Sequence, residues 1–340
     1  MDQLTLFLQQ LLNGISLGSI YGLIALGYTM VYGVLRFINF AHGDVYMLGA
    51  FTGLFATEQV YRFIPLDHFD TFTVANFFPV LGSGMIILLV AMVVCAVIGV
   101  LIEKIAYRPL RERPRLTVLI TAIGVSLFLQ NMTQFFLGPQ PRAFPQVIPV
   151  QPIEGIGTFC GYLITAVAPE AAYLLQVPGL DNLTLLTTQG AIILSTIVLL
   201  LGLRLVVMRT KLGLAMRALS VNPTACALMG VNNDVVISFT FALGSALAAA
   251  AGILVSMDSP SVAPLMGNIP GIKAFVAAVL GGIGNIPGAA VGGLIIGVLE
   301  TLVVGYLRPE MRDAIAFAVL IVILIWKPTG IFGRVEREKV

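Results

Sequence analysis

Long apolar runs alternate with short polar ones along almost the whole chain. Apolar stretches near 15–35, 45–64, 83–102, 116–137, 189–208, 235–257 and 287–307 each hold about 20 residues, which suits the ~30 Å hydrocarbon core of a bilayer. Two shorter ones, 271–284 and 312–326, are half-span or marginal candidates. Backbone N–H and C=O groups in lipid must pair within their own segment, so the pattern predicts helices throughout. The expected fold class is all-α: a polytopic membrane bundle of about 8–10 helices, with broken or short helices near 36–44 and 271–288.

Composition agrees. The chain has 340 residues, of which 58% are hydrophobic and 11% charged, with mean hydropathy +0.98. A soluble protein of this size cannot hide so much apolar surface. The net charge of +2 is too small to suggest a nucleic-acid partner. Cys95, Cys160 and Cys226 are far apart and read as small apolar fillers, without metal spacing. The chain opens Met-Asp-Gln with no basic region before its apolar run, which argues against a cleaved signal peptide.

Basic residues orient the spans. Residues 103–115, 204–217 and 327–340 carry most of the 19 Lys and Arg, so these stretches belong in the cytoplasm. The connection 138–188 has only Arg142 against Glu154, Glu170 and Asp181 and belongs outside. This parity places the N-terminus outside and the C-terminus inside. It requires an odd number of spans, nine if both short segments cross. Pro139, Pro141, Pro145, Pro149 and Pro152 forbid regular helix in the first part of the outer connection. Residues 162–176 read either as a helix on the outer face or as an irregular loop. Gly14, Gly18 and Gly22, then Gly288 and Gly292, and Gly293 and Gly297, recur every four residues, marking helix faces built for close approach.

Three stretches carry the candidate chemistry. In 36–44, Asn39, His42 and Asp44 crowd a helix break inside an oily sequence. Polar groups at such depth line a pathway or hold helices together, and both readings stay open. Gly43 is expected to permit the turn. A helix starting just after it would present unpaired N–H groups and a positive dipole end to whatever lies ahead. The second stretch, 209–232, lies in a cytoplasmic loop. Asn222 is a good N-cap, Pro223 suits the first helical position and Gly230 suits the stop. The short helix 223–229 would show Ala225, Leu228 and Met229 either to a docking partner or to the underside of the bundle. In the third, Gly281, Gly282, Gly284 and Gly288 with Asn285 and Pro287 separate two helices. The pattern repeats the logic of 36–44, as in a repeat-built transporter. Lys273 and Glu300 are ionisable residues in apolar company. Each would face a polar route or reach the interface with a long side chain. The chain holds no P-loop or HExxH sequence, and no constellation suited to a membrane enzyme.

Together these stretches resemble the LivH-like permease subunits of branched-chain amino acid ABC importers. The resemblance runs through Asn13–Gly33, Ile38–Asp44, Ile102–Pro109, the 213–232 loop, Lys273–Gly288 and Pro328–Gly333. Two departures stand out: a longer 138–188 connection, and Val221 where many members carry an acidic residue before the Asn of the cytoplasmic loop. The resemblance implies a single permease domain over 1–340 in the bacterial inner membrane. It also implies a second, LivM-like permease, two cytoplasmic ATPase subunits that hold ATP and Mg²⁺, and a periplasmic amino-acid-binding protein. This chain itself would bind no cofactor. On that reading Arg217, Asn222, Pro223, Ala225, Leu228 and Gly230 form the ATPase coupling segment, and Asn39, His42, Gly43, Asp44, Gly282 and Asn285 the substrate path. An ion-coupled secondary transporter is the alternative, with Asp44, Lys273 and Glu300 serving the coupling. The solute is left open among branched-chain and other amino acids, urea and amides.

Overall fold

The computed structural model describes residues 3–63, 77–111, 113–148, 152–154, 184–327 and 329–333. The helix considered for 162–176, Cys160 and the basic tail beyond Gly333 lie outside these residues. The helices are α1 (Gln3–Leu35), α2 (His42–Phe63), α3 (Phe77–Ile102), α4 (Arg115–Leu137), α5 (Thr187–Arg209), α6 (Lys211–Val221), α7 (Pro223–Leu228), α8 (Asn233–Asp258), α9 (Asn268–Gly281), α10 (Ile286–Tyr306) and α11 (Arg312–Trp326). Six of them, α1, α3, α4, α5, α8 and α10, are long and apolar enough to cross a membrane. The protein is therefore a multi-pass membrane protein. Short strands β1 (Arg142–Ala143), β2 (Pro152–Glu154), β3 (Thr184–Leu186) and β4 (Ser261–Val262) form two antiparallel pairs, β1 with β4 and β2 with β3.

The helices sort into two layers. The apolar windows of α1 and α8 are 89% and 72% buried, against 22% for α3, α4 and α5. The inner helices touch backbone to backbone through small residues. α10 runs antiparallel to α1, with Gly14 against Val298 and Thr301, and Gly18 against Leu294. A Cβ on Gly18 would lie 2.7 Å from the Leu294 Cα, so the spaced glycines are the surface that lets these helices meet. α2 runs alongside α8 in the same direction, with Gly49 on Ala249 and Gly53 on Ile253. The exposed Val93, Val97, Ile120, Phe128, Ile197 and Leu201 of the outer helices present the apolar surface that lipid requires.

Contacts also sort the connections onto two faces. Arg108 and Arg111 pair with Asp234 at the start of α8, and Arg36 donates to the Ser220 carbonyl at 3.3 Å. The Ile331 and Phe332 N–H groups bond the Leu280 and Gly281 carbonyls. The basic stretches at 103–111, 209–221 and 327–333 thus share one face. The pairing of β1 with β4 puts 142–143 and 261–262 together on the opposite one.

Two helices begin partway through the bundle. At 14 residues, α9 is ~21 Å long, too short to span hydrocarbon alone. Its N-terminus abuts that of α2: a Cβ on Gly43 would lie 2.6 Å from the Gly267 carbonyl oxygen. The sequence-based expectation for Gly43 is corrected here. α2 starts at His42, before Gly43, and within 36–44 the residue with positive φ is Arg36, at 57°. Gly43 is small because the turn before α9 passes directly over it.

The basic face is expected to be cytoplasmic. In a background without the native cysteines, a cysteine at Gln140 should react with an impermeant maleimide on intact cells. One at Arg217 should react only after lysis. The reverse pattern would invert the orientation.

Candidate functional site

The break at 36–41 is built on a tight turn. The His42 N–H bonds the Asn39 carbonyl at 3.1 Å, and the Asp44 and Val45 N–H groups both bond the Ala41 carbonyl at 3.1 Å. The unpaired donors that begin α2 are thereby met inside the bundle. The side chains of Asn39, His42 and Asp44 are all buried, and each has a protein partner. Tyr107 Oη donates to Asn39 Oδ1 at 2.6 Å. His42 Nε2 donates to the Ile24 carbonyl at 3.2 Å, and its ring meets Tyr28 edge-on at 4.7 Å. Gln130 Nε2 donates to Asp44 Oδ1 and to Asn268 Oδ1, at 2.8 Å each. The Gln130 amide on α4 thus bridges the first turn of α2 to the first residue of α9. Only Asp44 places an acid in either first turn. There it faces the positive ends of two helix dipoles.

The other two path candidates sit elsewhere. Gly282 has φ 98° at the end of α9, and Asn285 caps α10 by accepting from the Gly288 N–H at 3.2 Å. Asn285 also donates to the Phe332 carbonyl at 3.1 Å, tying the C-terminal segment to the basic face. The two breaks nevertheless share a feature. Ile38 from the first and Ile283 from the second line one small apolar cleft, together with Tyr28, Tyr32, Phe275 and Ala278. Such a surface suits an aliphatic group.

Lys273 and Glu300 neither line an open route nor reach the interface. They pair with each other. Lys273 Nζ lies 2.9 Å from Glu300 Oε1 and 2.6 Å from Asp313 Oδ1, with Lys273 2% and Glu300 0% exposed. Arg312 completes the cluster against Glu300, and Tyr21 Oη donates to Glu300 Oε1 at 3.3 Å. Four charges that sum to zero join α1, α9, α10 and α11. A buried ion is tolerable only when paired in this way.

On the basic face, α7 is a single closed unit. Asn222 Oδ1 accepts from the Ala225 N–H at 3.0 Å at its start. At its end Gly230, with φ 81°, donates to Ala227, while Val231 donates to Cys226. This double bond pattern around a left-handed residue is how glycine terminates a helix. Cys226 is the one buried residue of α7; Leu228 is 83% exposed and the adjoining Met229 84%. Arg217 on α6 is exposed, its guanidinium 3.7 Å from the Met208 sulfur.

Sequence reasoning missed Tyr107, Gln130, Asn268, Tyr21, Arg312 and Asp313. Gln130 carried a legible signal, an amide in the middle of an apolar span. The rest acquire their roles only through partners distant in the chain.

The cluster yields an energetic expectation. Glu300→Leu leaves the buried Lys273 with Asp313 as its one remaining anion and removes the partner of Arg312, so it should lower stability. Lys273→Met added to it should recover part of that loss. Thermal unfolding of the detergent-solubilised protein measures both; an unchanged midpoint for Glu300→Leu would remove the cluster's role in stability.

Residues 10–324 match the family model described as Branched-chain amino acid transport system / permease component. The chain is 40% identical over 339 residues to the high-affinity branched-chain amino acid transport system permease protein LivH of Escherichia coli (strain K12), covering 100% of this chain and 99% of that protein. It is 38% identical over 340 residues to the corresponding protein BraD of Pseudomonas aeruginosa, covering 100% of both. A probable branched-chain amino acid transport permease protein LivH of Methanocaldococcus jannaschii is 28% identical over 323 residues, 92% of this chain and 88% of that protein. No solved structure is a significant match.

Proposed function

The chain belongs to the family of branched-chain amino acid transport system permease components, and from that premise we propose that it is the transmembrane permease subunit of an ATP-driven importer, carrying branched-chain or related amino acids into the cytoplasm. As a permease component it works with other parts of a transport system. In this reading those parts are a second, LivM-like permease, two ATPase subunits holding ATP and Mg²⁺, and a periplasmic binding protein, assembled at the bacterial inner membrane.

The observation that carries the reading is α7. It is a short helix capped at both ends on the basic face, with Leu228 and Met229 almost fully exposed. Exposed apolar side chains of this kind mark a docking surface, and a chain without a P-loop needs a partner to supply ATP hydrolysis. The helix would seat in a groove of one ATPase, with Asn222 and Gly230 fixing its two ends. The mutual pairing of Lys273 and Glu300 weighs against ion-coupled transport, which needs such groups to exchange partners with solvent.

Ala225→Asp and Leu228→Asp should leave membrane insertion intact and detach or uncouple the ATPase, because each would bury an unpaired charge in the docking groove. Co-purification and uptake measure this; normal values for both variants would remove α7 from the interface.

The apolar cleft and the polar break beside it would serve the solute. An amino acid in transit carries two charges that cannot cross hydrocarbon bare, while its aliphatic side chain suits Tyr28, Ile38 and Phe275. Asn39→Ala and His42→Ala should assemble and bind the delivery protein, yet lower solute flux. Unchanged uptake by both would reduce the break to a packing element.

A further inference from the structure

Side-chain contacts, linked through the backbone at Asn233–Asp234 and along Glu103–Tyr107, join α7 to the start of α2. Asn233 Nδ2, on the first residue of α8, donates to the Pro223 carbonyl at 3.0 Å. The next residue, Asp234, accepts from Arg111 Nη1 at 2.6 Å and from Arg108. Arg111 also holds Glu103, and Ser238 Oγ on α8 donates to the second Glu103 oxygen at 2.6 Å. Glu103 is fully buried, although it adjoins the basic connection between α3 and α4. It opens a π-helical turn, Glu103–Tyr107, inserted between α3 and the short 3-10 turn Arg108–Leu110. Tyr107 closes that turn. Its ring packs between Phe37 of the break, at 5.3 Å, and Phe241 of α8, at 5.5 Å, and its hydroxyl reaches Asn39. Asn39 in turn receives the first N–H of α2.

A wider helical turn is costly where an ordinary one would do, and such turns recur at functional positions. Here it sets the polar ends of Glu103 and Tyr107 against two different elements: one against the root of α8 beside the docking helix, the other against the break beside the apolar cleft. A rigid contact chain with one local irregularity can transmit a displacement, provided that both ends bias the same element.

Resting on the permease reading above, we propose that Tyr107 and the Glu103–Arg111–Asp234 cluster are positioning residues that link movement at α7 to the position of the 36–41 break. The hydroxyl of Tyr107 is the link at the break; Ser238 and Arg111 are the links at the root of α8. No solute contact is assigned to any of them.

The test uses the full complex with its ATPases and binding protein in proteoliposomes, with L-leucine as the probe. Tyr107→Phe keeps the ring and loses only the bond to Asn39; Ser238→Ala loses one bond at the opposite end. Both should retain ATPase co-purification and ATP hydrolysis, while leucine moved per ATP falls about fivefold, the low end of coupling between sites. Tyr107→Phe combined with Asn39→Ala should be no worse than Asn39→Ala alone, because both remove one contact. An unchanged leucine-to-ATP ratio in Tyr107→Phe and Ser238→Ala overturns the proposal, as does an additive loss in the double variant. Loss of assembly in both single variants also overturns it, since the residues would then only hold the fold. Failure of the unaltered chain to retain ATPases would instead overturn the permease reading, which keeps the two results distinct.

Discussion

A helix that begins inside a bilayer exposes backbone donors where no water can meet them, and every unmet donor costs several kcal/mol, on the order of a lost hydrogen bond in an apolar medium. α2 and α9 both begin there, end to end. The arrangement holds because each start folds back on its own turn: Asn39 and Ala41 carbonyls serve α2, and Leu265 and Gly267 carbonyls serve α9. What remains is the field of two positive dipole ends pointed at each other. Asp44 answers it, and Gln130 fixes Asp44 and Asn268 to one another. The glycines at 43 and 267 follow from this geometry, since any side chain there would separate the two turns.

The inner layer therefore contains two polar centres of different character. Around Asp44 the groups are mostly neutral amides and hydroxyls, bridging helix starts. Around Glu300 they are full charges closing on themselves, fastening α11 to the inner helices. The first centre lies next to an apolar cleft lined from both breaks; the second has no such neighbour among its contacts. The outer helices α3, α4 and α5 contribute chiefly lipid-facing surface, with Gln130 as the notable inward exception.

Period and composition made the bundle legible, because each apolar run of about 20 residues has one stable form in lipid. The α7 unit was legible to within one residue, 223–229 against Pro223–Leu228, since Asn222, Pro223 and Gly230 act on their immediate neighbours. The break at 36–44 was found but misread in detail. A glycine next to an apparent helix start suggests left-handed backbone, whereas Gly43 is demanded by a chain segment more than two hundred residues away. The same distance hid the partners of Glu300 and of Asn39. Sequence spacing reports local geometry; which lysine meets which glutamate depends on how the helices pack.

The glycine contact between α1 and α10 has a consequence for how the protein is made. α1 precedes α10 in synthesis and ends as one of the most enclosed helices. Its main partner emerges from the ribosome only after about 250 further residues, an interval of roughly 10–50 s at ordinary synthesis rates. Throughout that time the grooved glycine face of α1 has only lipid, or a chaperoning insertase, to cover it. Biogenesis thus has a late closing step, and chains cut short before Ile286 leave the first helix without its mate, a mark by which quality control can distinguish them.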